Sequence, residues 1–173
     1  MESVPYEAGI ADLFGGAASS SEALKKELLN VKTELDALSS DLAARRPEVH
    51  WRIEGLTVDS YPLNPERQLS AYVEADDLTF CVELSPGRFY PNLSREPSAY
   101  YVEAEVYVVS DAPVDHGQDC VHELPAVGYK DAQEAVGGLL RAVQELRALA
   151  AQIAPTADAW RAASRNERGA SGL

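Results

Sequence analysis

Glutamates interrupt two stretches of this sequence that otherwise have the composition of β-strands. Residues 70–76 read SAYVEAD, and residues 98–109 read SAYYVEAEVYVV. Alternation of apolar and polar residues predicts two strands, with Glu74, Glu103 and Glu105 all on the polar face. Carboxylates two residues apart on a strand are close enough to act as acid and base, or to hold a hard cation such as Mg²⁺ or Ca²⁺.

Two other interpretations of this carboxylate face compete with catalysis. A solvated antiparallel face alternates in the same way, and these strands offer no histidine and no aspartate-rich loop beside the glutamates. Tyrosines interleaved with the glutamates favour a protein-binding face, since tyrosine is frequent at interfaces. The sequence predicts no catalytic residue, and the predicted partner-binding residues are Tyr72, Glu74, Glu83, Tyr101, Glu103, Glu105 and Tyr107, with Phe89 and Tyr90 in the loop between the strands.

A second cluster, DHGQDCVH at residues 115–122, gathers groups that can bind metal. His116, Cys120 and His122 could supply three zinc ligands and leave a fourth position open. Cys120 and His122 would share one face of a strand, but the His-x3-Cys-x-His spacing departs from ordinary zinc motifs. A polar loop entering an edge strand explains these residues better, so no metal site is predicted here.

Other motifs that carry chemistry are missing from the sequence. It contains no G-x-S-x-G elbow, no G-x-G-x-x-G and no P-loop, so neither a nucleophilic serine nor a nucleotide cofactor is indicated. We therefore expect no cofactor.

Charge limits the kind of partner. The 173 residues carry a net charge of −13, which disfavours direct binding to nucleic acid or to an anionic membrane and favours a protein with a basic surface. No apolar run is long enough to span a bilayer, and the N-terminus does not resemble a secretory signal. With only two cysteines, a cytoplasmic protein is expected.

The elements that position these residues begin with a long helix. Its apolar seam follows a heptad pattern, and Ser19 with Glu22 resembles a capping box that starts the helix, while Pro47 ends it. The seam could pack on the C-terminal helix or on a second copy of the chain, so a homodimer is one of two alternatives. The predicted self-association residues are Leu24, Leu28, Val31, Leu35, Leu38 and Leu42.

The middle of the chain is predicted to be an antiparallel meander. A first strand at residues 49–53 bends at Gly55, and a hairpin turns at Asp76 and Asp77. With that turn, every apolar pair from Ala75 with Leu78 to Leu69 with Leu84 points the same way. A C-terminal helix then follows, capped by Asp131, with Gly137 and Gly138 packed closely on the sheet.

These elements predict an α+β fold: a long N-terminal helix, an antiparallel meander of four to five strands, and a C-terminal helix on one face of the sheet. Residues 1–18 form an arm that either docks on a partner or folds back. Residues 19–154 form a single domain, and residues 155–173 form a short helical turn and a frayed basic tail.

The fold and charge favour a non-catalytic acidic interaction domain that recognises its partner through the polar sheet face. Immunity proteins, secretion chaperones and adaptors share this general shape and charge. The alternatives are a small-ligand binder or metal-dependent enzyme with a pocket between sheet and helices, lined by Trp51, Phe80 and Tyr100, or a self-assembling structural subunit that uses the heptad helix.

Overall fold

A computed structural model describes residues 6–61, 64–87, 98–110 and 117–170 of the chain. These residues form an α+β fold of five helices and a five-stranded antiparallel sheet, and four of the helices contact the sheet. The elements in chain order are α1 (Tyr6–Phe14), α2 (Gly16–Ser19), α3 (Glu22–Arg45), β1 (Arg52–Tyr61), β2 (Asn64–Glu74), β3 (Leu78–Pro86), β4 (Tyr100–Val109), β5 (Gln118–Tyr129), α4 (Ala132–Ala150) and α5 (Ala157–Ala170).

The sheet is a meander with the strand order β1-β2-β3-β4-β5. The predicted hairpin register is confirmed: Val73 lies opposite Phe80, and Leu69 lies opposite Leu84. Ala75 N–H donates to the carbonyl of Leu78 at 2.8 Å, which closes the two-residue turn. Among the described residues only a glycine has a positive φ, so this turn does not have the type I′ geometry.

The two long helices pack against each other and cover the apolar face of the sheet. The predicted contact of α4 with the sheet is confirmed, and α4 lies on β3, β4 and β5. Asp131 caps α4 by accepting a hydrogen bond from Glu134 N–H at 2.9 Å. Helix α4 and strand β5 approach closely at Gly138 because glycine has no side chain; a Cβ there would collide with the ring of Tyr129.

The heptad seam of α3 is used within the chain. All six of its apolar side chains are buried in the core, where α3 contacts α4 and β1. The prediction that they mediate self-association is therefore wrong for the seam itself, because these side chains are at most 6% exposed and pack in the core of the chain. These residues are Leu24, Leu28, Val31, Leu35, Leu38 and Leu42.

The N-terminal arm folds back on its own domain. Helix α1 packs on β1 and β2, and the ring of Phe14 lies 5.5 Å from that of Tyr100. Ser21, not Ser19, caps α3 and accepts a hydrogen bond from Leu24 N–H at 3.4 Å. The hydroxyl of Ser19 instead donates to the carbonyl of Gly16, because it belongs to the short helix α2.

Two other elements differ from the prediction. Strand β1 starts at Arg52, not at residue 49, and it runs through Gly55, where the pairing with β2 shifts register. The C-terminal segment forms the 14-residue helix α5 and not a short turn. Helix α5 forms because Trp160 is buried in the core, edge-on to Phe80 at 5.3 Å between ring centroids.

Aromatic side chains fill the space where a pocket was expected. The ring of Trp51 lies 6.5 Å from that of Phe80, and both side chains are buried. Tyr100 packs on Phe14. The prediction that Trp51, Phe80 and Tyr100 line a ligand pocket is wrong, since these rings pack on other rings. Separately, none of the helices in the described parts of the chain combines the length and the apolar character that crossing a membrane requires.

Candidate functional site

The candidate site is the face of the sheet that the helices leave uncovered, here called the outer face. Strand alternation points Val73, Phe80 and Val106 toward the helices, so their sequence neighbours point outward. The register places all seven predicted partner-binding residues of the strands on this face: Tyr72, Glu74, Glu83, Tyr101, Glu103, Glu105 and Tyr107.

Two rows of outer-face side chains run across the strands. In the first row, Ser70 of β2 lies opposite Glu83, which lies opposite Glu103 of β4. In the second row, Glu105 lies opposite Cys81 of β3 on one side and Glu123 of β5 on the other. Two carboxylates thus stand directly opposite each other in both rows, an arrangement that destabilises a sheet.

Glu83 is a carboxyl of this face whose pKa is perturbed. Burial raises the pKa of Glu83, and the charge of Glu103 raises it further. Hydrogen bonds act in the opposite direction: the Tyr72 hydroxyl lies 3.3 Å and the Cys81 sulfur 3.6 Å from Glu83 Oε1. The face therefore holds a negative charge that its own surroundings only partly stabilise.

The Tyr107 phenol and the Cys81 thiol stay protonated at neutral pH. The phenol of Tyr107 donates a hydrogen bond to Glu105, and burial followed by this bond raises the pKa of Tyr107 far above its usual range. Burial, with the charge of Glu83, raises the pKa of the Cys81 thiol in the same way. Neither group is suited to nucleophilic attack at neutral pH, since the anion is the reactive form.

The β1 side of the face carries further acidic groups. The Asp59 carboxylate accepts hydrogen bonds from Ser70 at 2.6 Å and from Thr57 at 3.3 Å. Glu74 forms an ion pair with Arg52 at 3.2 Å. Among the strand residues whose pairing is defined, Arg52 is the one cation on the outer face. The same strand residues place seven carboxylates there: Glu54, Asp59, Glu74, Glu83, Glu103, Glu105 and Glu123.

Side chains in the middle of the outer face are largely shielded from solvent. Cys81 is 3% exposed and Tyr101 is 4% exposed. The expectation that Tyr101 offers an exposed ring to a partner is therefore wrong. Exposed carboxylates lie toward the two edges of the sheet instead, at Glu54 on β1 and Glu123 on β5.

The second predicted cluster is separated by the fold. Cys120 lies opposite Tyr107 on the outer face, whereas His122 lies opposite Val106 on the helical face. A register shift between these pairs turns the strand, which overturns the prediction that both residues share a face. His122 instead packs on Trp160, with 6.4 Å between ring centroids.

Three residues considered as partner-binding residues or as metal ligands lie in parts of the chain that the structure does not describe. These residues are Phe89, Tyr90 and His116. Within the described ranges, no group of three or more histidine, cysteine, aspartate and glutamate side chains is arranged to hold a metal ion.

Alternation in the sequence predicts Glu54 on the polar face together with Glu74, Glu83, Glu103 and Glu105, but it misses Asp59 and Glu123. Strand β1 is shifted at Gly55, and β5 is shifted against β4 at two places, so neither strand shows a continuous alternation. From the sequence, Asp59 and Glu123 could be recognised only as acidic residues within polar segments, without assignment to a face of the sheet. Their position on the same face as Glu83 depends on the bulges.

Comparisons of this chain with protein-family models, with curated proteins and with solved structures gave no match.

Proposed function

We propose that this chain is a non-catalytic, acidic protein–protein interaction domain that recognises a partner with a basic surface through its outer face. The observation that carries the proposal is the pair Glu83 and Glu103, directly opposite each other across β3 and β4. Burial and the charge of Glu103 both raise the pKa of Glu83, so ionisation of Glu83 costs free energy in the isolated chain. A cationic group from a partner would recover part of that cost.

The distribution of exposure supports an extended contact. The exposed carboxylates Glu54 and Glu123 lie on the two edge strands, while Tyr72 and Tyr107 lie half-buried between them. A basic partner would meet a charged rim and a more apolar centre with hydroxyl groups, which is the usual anatomy of a protein interface. A reducing compartment such as the cytoplasm agrees with two cysteines, Cys81 and Cys120, that are not joined in a disulfide.

The proposal can be tested with two charge-reversal variants of the full chain. Glu54→Lys/Glu123→Lys changes the outer face, and the control Asp36→Lys/Glu145→Lys makes the same change in charge on the exposed surfaces of α3 and α4. Each chain is immobilised, and proteins captured from a lysate of the source organism are quantified by mass spectrometry. Circular dichroism first establishes that all three chains fold.

We expect the wild type and the control to retain the same partner, and the outer-face variant to lose it. Bound partner should also elute as salt rises, because screening weakens contacts between exposed charges. Retention of the partner by the outer-face variant, or equal loss by both variants, would contradict the proposal.

A further inference from the structure

An open groove of about 730 Å³ lies on the helical side of the molecule, away from the outer face. It is bounded by α1, by the N-terminal half of α3, and by β1 at its register shift. Its lining includes the apolar side chains of Ile10, Leu28, Leu29 and Leu56. A volume of several hundred cubic ångströms is typical of sites that bind small molecules.

One stripe of α3 faces this groove. Lys25, Leu28, Leu29 and Lys32 occupy positions i, i+3, i+4 and i+7, which lie along one side of a helix, and all four line the groove. The lysines of the chain are Lys25, Lys26, Lys32 and Lys130, so two of the four lie here. A pair of cations beside apolar side chains is a distinctive feature in a chain whose net charge is −13.

Apolar side chains in the groove are left open to solvent. Leu29 is 62% exposed although it lies in the middle of a long helix, and Tyr6 is 38% exposed. Both belong to the small set of large hydrophobic residues that remain exposed in the described chain, and both line the same groove. Exposed apolar residues that cluster in one concavity indicate a binding surface more often than scattered ones do.

The polar groups of the groove favour an anion. Within the described residues, Lys25 pairs with the highly exposed Glu22 at 3.1 Å, a contact that solvent weakens. Burial, and then the charge of Glu7, raise the pKa of Tyr6, so its phenol remains a hydrogen-bond donor at neutral pH. Glu7 also lines the groove and opposes an anion.

We propose that this groove binds one single-chain amphiphile with an anionic head group, of the fatty-acid class. Its hydrocarbon chain covers Leu28, Leu29 and Leu56, and its carboxylate lies near Lys32, because Lys25 stands about two helical turns away and is paired with Glu22. The proposal is independent of the outer face and of the partner assigned to that face.

Isothermal titration calorimetry of the full chain at pH 8 tests this site, with decanoate below its micelle-forming concentration and neutral decan-1-ol as probes. We expect one decanoate per chain and weaker binding of decan-1-ol. Leu29→Ser should weaken decanoate binding about tenfold, because apolar contact is lost. Lys32→Gln should weaken it about twofold to fivefold, and Glu7→Gln should strengthen it by a similar factor, since exposed charges interact weakly.

Val127→Ser and Lys26→Gln are the matched controls, since both residues are exposed and neither lines the groove. They should leave the affinity for decanoate within about twofold of the wild type. Absence of decanoate binding would overturn the proposal, as would equal affinity for decan-1-ol or binding of several decanoates that Leu29→Ser does not affect. Binding to phosphatidylglycerol vesicles without binding of monomeric decanoate would identify a membrane contact instead, and the proposal would be wrong.

Discussion

Arg46 Nη1 donates a hydrogen bond to Asp77 Oδ1 at 2.7 Å, and this ion pair joins the C-terminal end of α3 to the turn between β2 and β3. The other oxygen of the same carboxylate accepts a hydrogen bond from Ala157 N–H at 3.2 Å, at the start of α5. A single side chain therefore connects the sheet to two helices that are distant in the sequence.

Replacing this carboxylate should destabilise the fold. Asp77→Ala removes the ion pair and leaves the first N–H of α5 without its acceptor, and the expected loss is about 1–3 kcal/mol of unfolding free energy. Asp76→Ala is the control, since Asp76 is the exposed neighbour in the same turn, and it should change stability by less than about 0.5 kcal/mol. Urea denaturation measures both. Equal effects of the two variants would show that the turn, and not the ion pair, matters.

The contribution of Asp77 should depend on pH. Partial burial acts to raise its pKa, but the hydrogen bonds from Arg46 and Ala157, with the charge of Arg46, outweigh burial and hold the pKa below its usual value. The unfolded chain therefore binds more protons, so this stability is present above the unfolded pKa of about 4 and is lost as pH falls through the folded pKa. The difference in unfolding free energy between wild type and Asp77→Ala should narrow between pH 6 and pH 3. A constant difference would contradict this assignment.

Glu83 should show the opposite sign. Because its pKa is raised on folding, the folded chain binds more protons in the window above the unfolded pKa, and stability falls as pH rises through that window. Glu83→Gln should consequently stabilise the chain at pH 7, by up to about 1 kcal/mol, and the gain should vanish below about pH 4. Thermal unfolding at both pH values measures the effect. Glu54→Gln, which removes an exposed carboxylate opposite Tyr72, should have little effect.

The hairpin of β2 and β3 was predictable because its pattern permits one register only. A shift by one residue would turn Val73, Phe80 and their neighbours from the core to the outer face, and two adjacent aspartates mark the turn. The acidic character of the outer face follows from the same alternation. The sequence therefore predicted which side chains of β2 and β3 lie on the outer face.

The edges of the site were not predictable from local pattern. The separation of Cys120 from His122 depends on a register shift against β4, which changes the face of every residue beyond it. Helix α5 depends on a tertiary contact, because its residue Trp160 is buried against Phe80 of strand β3, which is distant in the sequence. The burial of Tyr101 depends equally on tertiary packing, since alternation predicts the direction of a side chain but not what covers it.

Leu35 and Leu29 distinguish packing within the chain from self-association. Leu35 lies in the seam and is buried, so Leu35→Ala should cost about 2–5 kcal/mol of unfolding free energy. Leu29→Ala should cost less than about 1 kcal/mol, because Leu29 is exposed. Urea denaturation and light scattering should be measured together. If Leu35→Ala dissociated a dimer without destabilising the folded chain, the seam would be an interface after all.

Two adjacent glycines of α4 provide a test of how closely this helix approaches the sheet. A Cβ on Gly138 would overlap the ring of Tyr129 on β5, whereas a Cβ on Gly137 would meet its nearest neighbour, Arg141 Nη1, at 3.6 Å, an ordinary contact. Gly137→Ala should stabilise the chain by up to about 1 kcal/mol, because alanine favours the helix. Gly138→Ala gains the same helix propensity but must displace Tyr129, so it should destabilise the chain by about 1–3 kcal/mol.

The ring of Tyr129 allows the cause to be identified. Arg141 lies over that ring at 5.8 Å from its centroid, so a displaced ring would also lose this contact. The double variant Gly138→Ala/Tyr129→Ala removes the obstacle, and the penalty of Gly138→Ala should then become smaller or reverse sign relative to Tyr129→Ala alone. Thermal unfolding of the four chains completes the cycle. If Gly138→Ala destabilised the chain equally without the ring, a contact other than the one with Tyr129 would be the cause of the destabilisation.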